Sequence, residues 1–213
     1  MMSNNNDISL PNYIVRSLVG AWQLVKTNKK SMEYFDISSD GFWKSFWAIL
    51  VMLPIFLIGL IYGSGADGPQ PIVTESIFFV VSLPMMALVM YYFTRFMKIS
   101  ENYSSMVIAS NWLTALNYNI LVVAGLLLNL FLPNSEVSLI IIYVLSFYFG
   151  LYIAWFMYKT SLNISGYLAV GVLLFDAVFS LTIRTILFKI FDPEVFERTF
   201  GAASNLPSCN IGH

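Results

Sequence analysis

Asp176 stands inside the apolar run Gly171-Val-Leu-Leu-Phe-Asp176-Ala-Val-Phe. A carboxyl group near the centre of a bilayer costs roughly 2.5–3.5 kcal/mol on insertion scales, so it normally faces a bundle interior and takes a partner. Two roles suit such an acid. It couples a proton or cation to transport, or it ties two helices together through hydrogen bonds. The structural role is preferred from the sequence, because a coupled transporter usually needs more than one buried ioniser. Arg184 is the nearest basic residue on that run, eight positions further on. That is about 12 Å along a helix axis, too far for a close ion pair.

A second polar group comes from an earlier run. Ser110, Thr114 and Asn117 recur at i, i+4 and i+7, flanked by Asn111 and Tyr118, and this spacing places them along one helix face. Counted from the starts of their apolar runs, Asn117 and Asp176 fall at similar depth, so an amide–carboxyl hydrogen bond between them is expected. Cross-helix bonds of this kind average below about 1 kcal/mol. Helix–helix glue is therefore a sufficient account of the stripe. The competing account is a polar path lined by Asp176, Asn117 and Asn111.

Other chemistry finds little support. There is no His, Cys and carboxylate spacing for a metal, no Gly-rich phosphate loop and no nucleophile elbow. The single Cys209 and single His213 leave no intrachain disulfide, thiolate cluster or paired-histidine haem site. No cofactor, no metal and no catalytic activity are expected. A net charge of −1 without a basic face argues against nucleic acid as a partner. Asn102-Tyr-Ser104 and Asn163-Ile-Ser165 match the glycosylation pattern, but on the expected cytoplasmic side they are silent.

The elements that must position these residues are membrane spans. The chain is 58% hydrophobic and 11% charged, against roughly 25% charged in soluble domains, so lipid must solvate much of it. A span needs about 20 apolar residues, and five runs qualify, at 42–62, 72–94, 106–132, 138–158 and 164–186. Gly63–Pro69, Leu132–Ser135 and Lys159–Asn163 are short turns, which make neighbouring spans antiparallel and the fold an all-α polytopic bundle. Pro54 and Pro84 fall near mid-span and predict gentle bends. Of eleven Lys and Arg residues, eight (Arg16, Lys26, Lys29, Lys30, Lys44, Arg95, Lys98, Lys159) lie on one side if the amino terminus is inside. Positive-inside bias then puts the amino terminus in the cytoplasm and, with five spans, the carboxyl terminus outside.

This divides the chain into a cytoplasmic region, 1–40, a five-span domain, 41–190, and an extracytoplasmic tail, 191–213. No apolar leader run occurs in residues 1–40, so the first span is expected to insert the chain. Within that region Ile14, Val15, Leu18, Val19, Trp22 and Val25 recur at helical spacing after Pro11, predicting an amphipathic helix on lipid or packed against protein. Gly20 weakens it. Trp22, Trp43, Trp47, Arg16 and Lys26 are the expected contacts to headgroups or partners, and Asp40 is the expected N-cap of the first span.

Glu101-Asn-Tyr-Ser-Ser-Met-Val-Ile-Ala-Ser110, entering the third span, and Ser165-Gly-Tyr-Leu168, entering the fifth, resemble the Ypt-interacting (YIP) family of five-span membrane proteins and its bacterial relatives. The likeness covers roughly residues 40–190. The Asp-Leu-Tyr-Gly-Pro signature of eukaryotic members is missing, and only Asp67-Gly-Pro69 stands in a loop. The resemblance implies a non-enzymatic membrane protein that acts through partners, and it transfers no functional residue. The expected role is a scaffold, assembly factor or accessory subunit in a bacterial-type inner membrane, touching lipid and other membrane subunits. A small transporter or channel is the alternative.

Overall fold

The computed structural model describes residues 9–62, 71–133 and 135–200. The 63–69 loop, Cys209 and His213 lie outside them. Every regular element among the described residues is helical, in the order α1 Leu10–Val25, α2 Ser39–Lys44, α3 Ala48–Tyr62, α4 Ile72–Phe96, α5 Tyr103–Phe131, α6 Glu136–Phe147, α7 Ala154–Leu162, α8 Gly166–Phe191 and α9 Pro193–Phe200. Short 3-10 turns precede α2, α3 and α5, and a π-helical segment, Tyr148–Ile153, joins α6 to α7.

Five units are long and apolar enough to cross a membrane: Ser39–Ile61, Ile72–Phe96, Ser100–Phe131, Glu136–Leu162 and Gly166–Phe191. The protein is an all-α polytopic bundle of integral-membrane type. In hydrocarbon every backbone polar group must be satisfied internally, and helices do this within one segment. α3 and α4 run unbroken through Pro54 and Pro84. Most ends extend by a few residues beyond the apolar runs, and side-chain caps fix the starts of the first and fifth spans. Ser38, not Asp40, caps the first span, its Oγ accepting from Gly41 N at 3.1 Å. Asp40 sits inside the first turn and pairs with Lys44. Ser165 caps α8 by accepting from Leu168 N.

Packing is uneven along the bundle axis. In α5 every buried residue lies between Met106 and Ala115, and in α8 all lie between Ala169 and Leu173. α6 has none, while α7 buries Phe156, Met157, Tyr158, Ser161 and Leu162. The core is therefore concentrated at the end that carries α1, the lysine-bearing end. At the far end helices meet through fewer buried side chains, chiefly Thr74 and Phe79 of α4.

α1 is what closes the lysine-bearing end. It presents Tyr13, Ser17, Gly20, Ala21 and Leu24 to the bundle, with Ile14, Leu18 and Val25 partly buried beside them. Val15, Val19 and Trp22 stay exposed, so the expected apolar stripe is split between protein and surroundings. Gly20 is a requirement here rather than a weakness. A Cβ at that position would meet Phe35 Cζ at 2.9 Å and Tyr34 Cβ at 3.0 Å. Tyr13, 2% exposed, donates its hydroxyl to Gly41 O at 2.8 Å and accepts from Trp112 Nε1 at 3.3 Å. Its ring meets the Trp112 ring edge-on at 5.8 Å. Nearby, Asn111 Nδ2 donates to Ser45 Oγ at 2.8 Å. Gly41 is tighter still, since a Cβ would fall 2.0 Å from Asp36 O.

Two predictions follow from this end of the molecule. Gly41→Ala should cost about 3 kcal/mol or more through overpacking against backbone. Gly171→Ala, whose Cβ meets nothing within 4 Å, should be neutral or stabilising by up to about 1 kcal/mol; detergent unfolding of the two variants gives the contrast. Burial raises the Tyr13 hydroxyl above its ordinary range, against a smaller lowering by the Trp112 hydrogen bond. The folded chain then keeps that proton to higher pH than the unfolded chain, so stability is level below about pH 10 and declines above it. Tyr13→Phe should lower stability by about 1–3 kcal/mol at neutral pH, leaving the buried Trp112 N–H unpaired. It should also remove part of the alkaline decline, as read by unfolding across that pH range.

Candidate functional site

α8 carries Asp176 ten residues after Gly166, about 15 Å into the helix. Its carboxyl group accepts from the Tyr158 hydroxyl of α7 at 2.7 Å and from Ser180 Oγ, one turn on, at 3.4 Å. Tyr158 is almost wholly buried. This bond spans two elements, and its register depends on the π-helical segment upstream. A π turn closes its bonds one residue later than an α turn, which offsets everything after it by about 100° of helical phase. No sequence periodicity announced that segment.

Around Asp176 lies a partly open pocket of about 270 Å³. Ser110, Asn111, Thr114 and Tyr118 of α5 line it together with Tyr158, Asp176 and Ser180. The stripe read from the sequence therefore does meet Asp176, although Asn117 is not part of that lining. Met52, Met86, Met90 and Met106 and the rings of Phe78 and Phe79 supply the apolar wall. Thr114 is exposed although it sits on the most centrally packed helix, and it belongs to this lining. Stacking of Phe93 on Phe175 at 4.0 Å holds α4 against α8 on one side. The Tyr103 hydroxyl, donating to Ala87 O at 2.7 Å, holds α5 against α4 on another.

The expected Asn117–Asp176 hydrogen bond is absent among the described residues. The helix starts explain why. α5 begins at Tyr103 and α8 at Gly166, so Asn117 is fourteen residues in and Asp176 only ten. The difference is about 6 Å along the axis. Ser110 and Thr114, at seven and eleven residues, are at the right depth. Asn117 Oδ1 is buried and, among the described residues, finds no donor.

Arg184 belongs to a different place. It pairs with Glu75 of α4, and its guanidinium lies 5.8 Å from the Phe78 ring and 5.6 Å from that of Phe188. About two turns beyond Arg184, the Asp192 carboxylate accepts from the Thr74 hydroxyl and backbone N–H. These contacts tie the start of α4 to the end of α8. Glu75, Phe56, Tyr118 and Arg184 line a recess of about 300 Å³ at the far end. Glu75 was missed in the sequence. The usable signal was Arg184 itself, because a cation inside a span needs an acid at matching depth.

The residues expected at the membrane surface cluster on α1 and the start of the first span. Trp22, Trp43 and Trp47 are 44%, 71% and 42% exposed. Lys26 Nζ lies 5.6 Å from the Trp22 ring, and Arg16 donates to Glu33 O at 2.9 Å. Among the described residues no three His, Cys, Asp or Glu side chains gather as metal ligands do.

The chain matches no protein-family model, no curated protein and no solved structure. The site is therefore read from its own geometry. Removing the Tyr158 hydroxyl takes away the shorter of the two bonds to a buried carboxyl group. Tyr158→Phe should cost about 1–3 kcal/mol in detergent unfolding, whereas Asn117→Leu, which removes an unpaired buried oxygen, should cost less or stabilise.

Proposed function

We propose that this protein is a non-catalytic membrane protein of the small-transporter class, which takes a small amphiphilic ammonium compound into the chamber around Asp176. One observation carries the reading: about 270 Å³ of space whose lining sets one carboxyl group among six hydroxyls, with no Lys or Arg. If Asp176 served only to fasten helices, no such space would be needed, since protein interiors leave few voids larger than a water molecule. The volume is just below the usual range of small-molecule sites, about 300–1,000 Å³, which suits a small ligand.

The lining also favours one ligand chemistry. An ammonium group brings three donors and no acceptor, matching the oxygens of Asp176, Ser110, Thr114 and Ser180. Its charge is costly in a bilayer unless paired, and Asp176 supplies the opposite sign. The aromatic lining of Phe78, Phe79 and Tyr118 suits a cation, and the methionine wall suits an apolar tail.

The positive-inside bias supports an amino terminus in the cytoplasm, and the resemblance to bacterial relatives of the YIP family suits a bacterial-type inner membrane. The exposed Trp22, Trp43 and Trp47 would then lie at headgroup level on the cytoplasmic face. A second reading, the scaffold or accessory subunit suggested by the resemblance to the YIP family, has one support of its own. α6 buries no residue against the rest of the bundle, and Tyr148, Tyr152 and Trp155 continue an aromatic ladder beyond it. A co-purifying membrane chain bound along that ladder in mild detergent would favour it over the first.

The test of the transporter reading uses phenethylammonium as probe. Calorimetry on the detergent-solubilised protein and uptake into reconstituted vesicles should both show saturable engagement. Asp176→Asn should weaken binding at least tenfold and abolish uptake. Equal binding and uptake by the wild-type and Asp176→Asn proteins would overturn the reading.

A further inference from the structure

The Asp176 chamber and the far-end recess share one wall. Tyr118 lines both. Phe56 lines only the recess and Phe79 only the chamber, and these two rings stack face to face at 4.1 Å with 12° between their planes. Phe79 in turn stands 6.3 Å from the Tyr118 ring. Three aromatic rings from α3, α4 and α5 thus separate two spaces of about 270 and 300 Å³. On the recess side, Glu75 and Arg184 join α4 to α8.

We propose that the Phe56–Phe79–Tyr118 ring cluster is the internal gate through which the chamber exchanges ligand with the far end, and that the Glu75–Arg184 pair latches it. The inference rests on the transporter reading and adds to it a route and a barrier. Three features favour the rings over any other wall. They are the part of the boundary common to both spaces. They meet through ring contacts, stacked between Phe56 and Phe79 and tilted between Phe79 and Tyr118, worth about 0.5–1.5 kcal/mol per pair beyond burial, so separating them is a small conformational step. The opposite boundary, by contrast, is the most densely buried part of the bundle, where Met90, Met106 and Tyr158 are almost inaccessible.

The route also suits the proposed ligand. A cation entering the recess meets Glu75, already neutralised by Arg184. It can compete for that carboxylate, loosen the tie between α4 and α8, and so free Phe79 on α4 to swing from Phe56. Beyond the rings Asp176 offers the next carboxyl group. Opening is thereby linked to the charge of what arrives. A neutral molecule of equal size has no means of displacing Arg184.

Thiol accessibility in sealed vesicles tests this in the full-length chain with Cys209 replaced by Ser. Gly59→Cys places a thiol in the recess, where a Cβ meets only Val122 at 3.9 Å. Thr114→Cys places one in the chamber. The probe is a membrane-impermeant methanethiosulfonate carrying a trimethylammonium group. In vesicles whose far end faces outward, identified by rapid labelling of Gly59→Cys, Thr114→Cys should react at least tenfold more slowly. Adding Phe79→Ala, or the milder Phe56→Leu, should raise the Thr114→Cys rate at least tenfold and leave the Gly59→Cys rate unchanged. Glu75→Gln should raise it as well. Labelling of Thr114→Cys as fast as Gly59→Cys with all three rings intact would overturn the gate, and so would a rate that neither ring substitution moves. Phenethylammonium binding in detergent, where both ends are open, is scored separately. Its failure removes the transporter reading, whereas the labelling contrast decides the gate.

Discussion

The close approach of α1 to α5 is the constraint on which the rest of the molecule turns. Lipid tails are as apolar as leucine, so helices in a bilayer gain little from mere contact and must be held by fit and by hydrogen bonds. Tyr13 supplies both. Its hydroxyl bridges Trp112 of α5 and Gly41 at the start of the first span, and Gly20 lets the same helix pack against the returning Tyr34–Phe35 segment. With Asn111 bound to Ser45 one residue away, three elements converge at one end, and the buried core gathers there.

The polar interior of the bundle follows from that asymmetry. Buried side chains are concentrated at one end, and the polar space opens beyond them, at Ser110, Thr114 and Asp176. Polar side chains at that depth need not bond one another directly. Two separate arrangements meet their needs: Asp176 is held by Tyr158 and Ser180, and Arg184 by Glu75. Asp176 is thus kept in one compartment and the Glu75–Arg184 pair in another, with aromatic rings between.

The sequence disclosed the spans almost completely, because hydrocarbon leaves so little freedom: a run of about 20 apolar residues can be satisfied only as a helix. It also disclosed Asp176, Ser110 and Thr114 as residues of one site, since an acid in an oily run and a hydroxyl stripe at helical spacing both demand an interior. Pairing was harder to read. Asn117 was matched to Asp176 on apolar-run starts, but α5 begins three residues before its run and α8 two residues after its own. Gly20 looked like a weak point locally and Gly41 gave no signal, and only the chain folding back through Tyr34–Asp36 shows why each is needed. Tyr158 carried no signal, because its orientation is decided by irregular backbone that hydropathy does not report.

That irregular backbone has a consequence for how such a protein diverges. The six residues Tyr148–Ile153 fix the rotational setting of everything from Ala154 onward. A lineage that lost one residue there would retain the same hydropathy, charge and span length. It would nonetheless turn α7 by about 100° and bring another side chain to face the acid of α8. Relatives of nearly equal composition can therefore differ in what their interiors accept, through a change of length rather than of residue type.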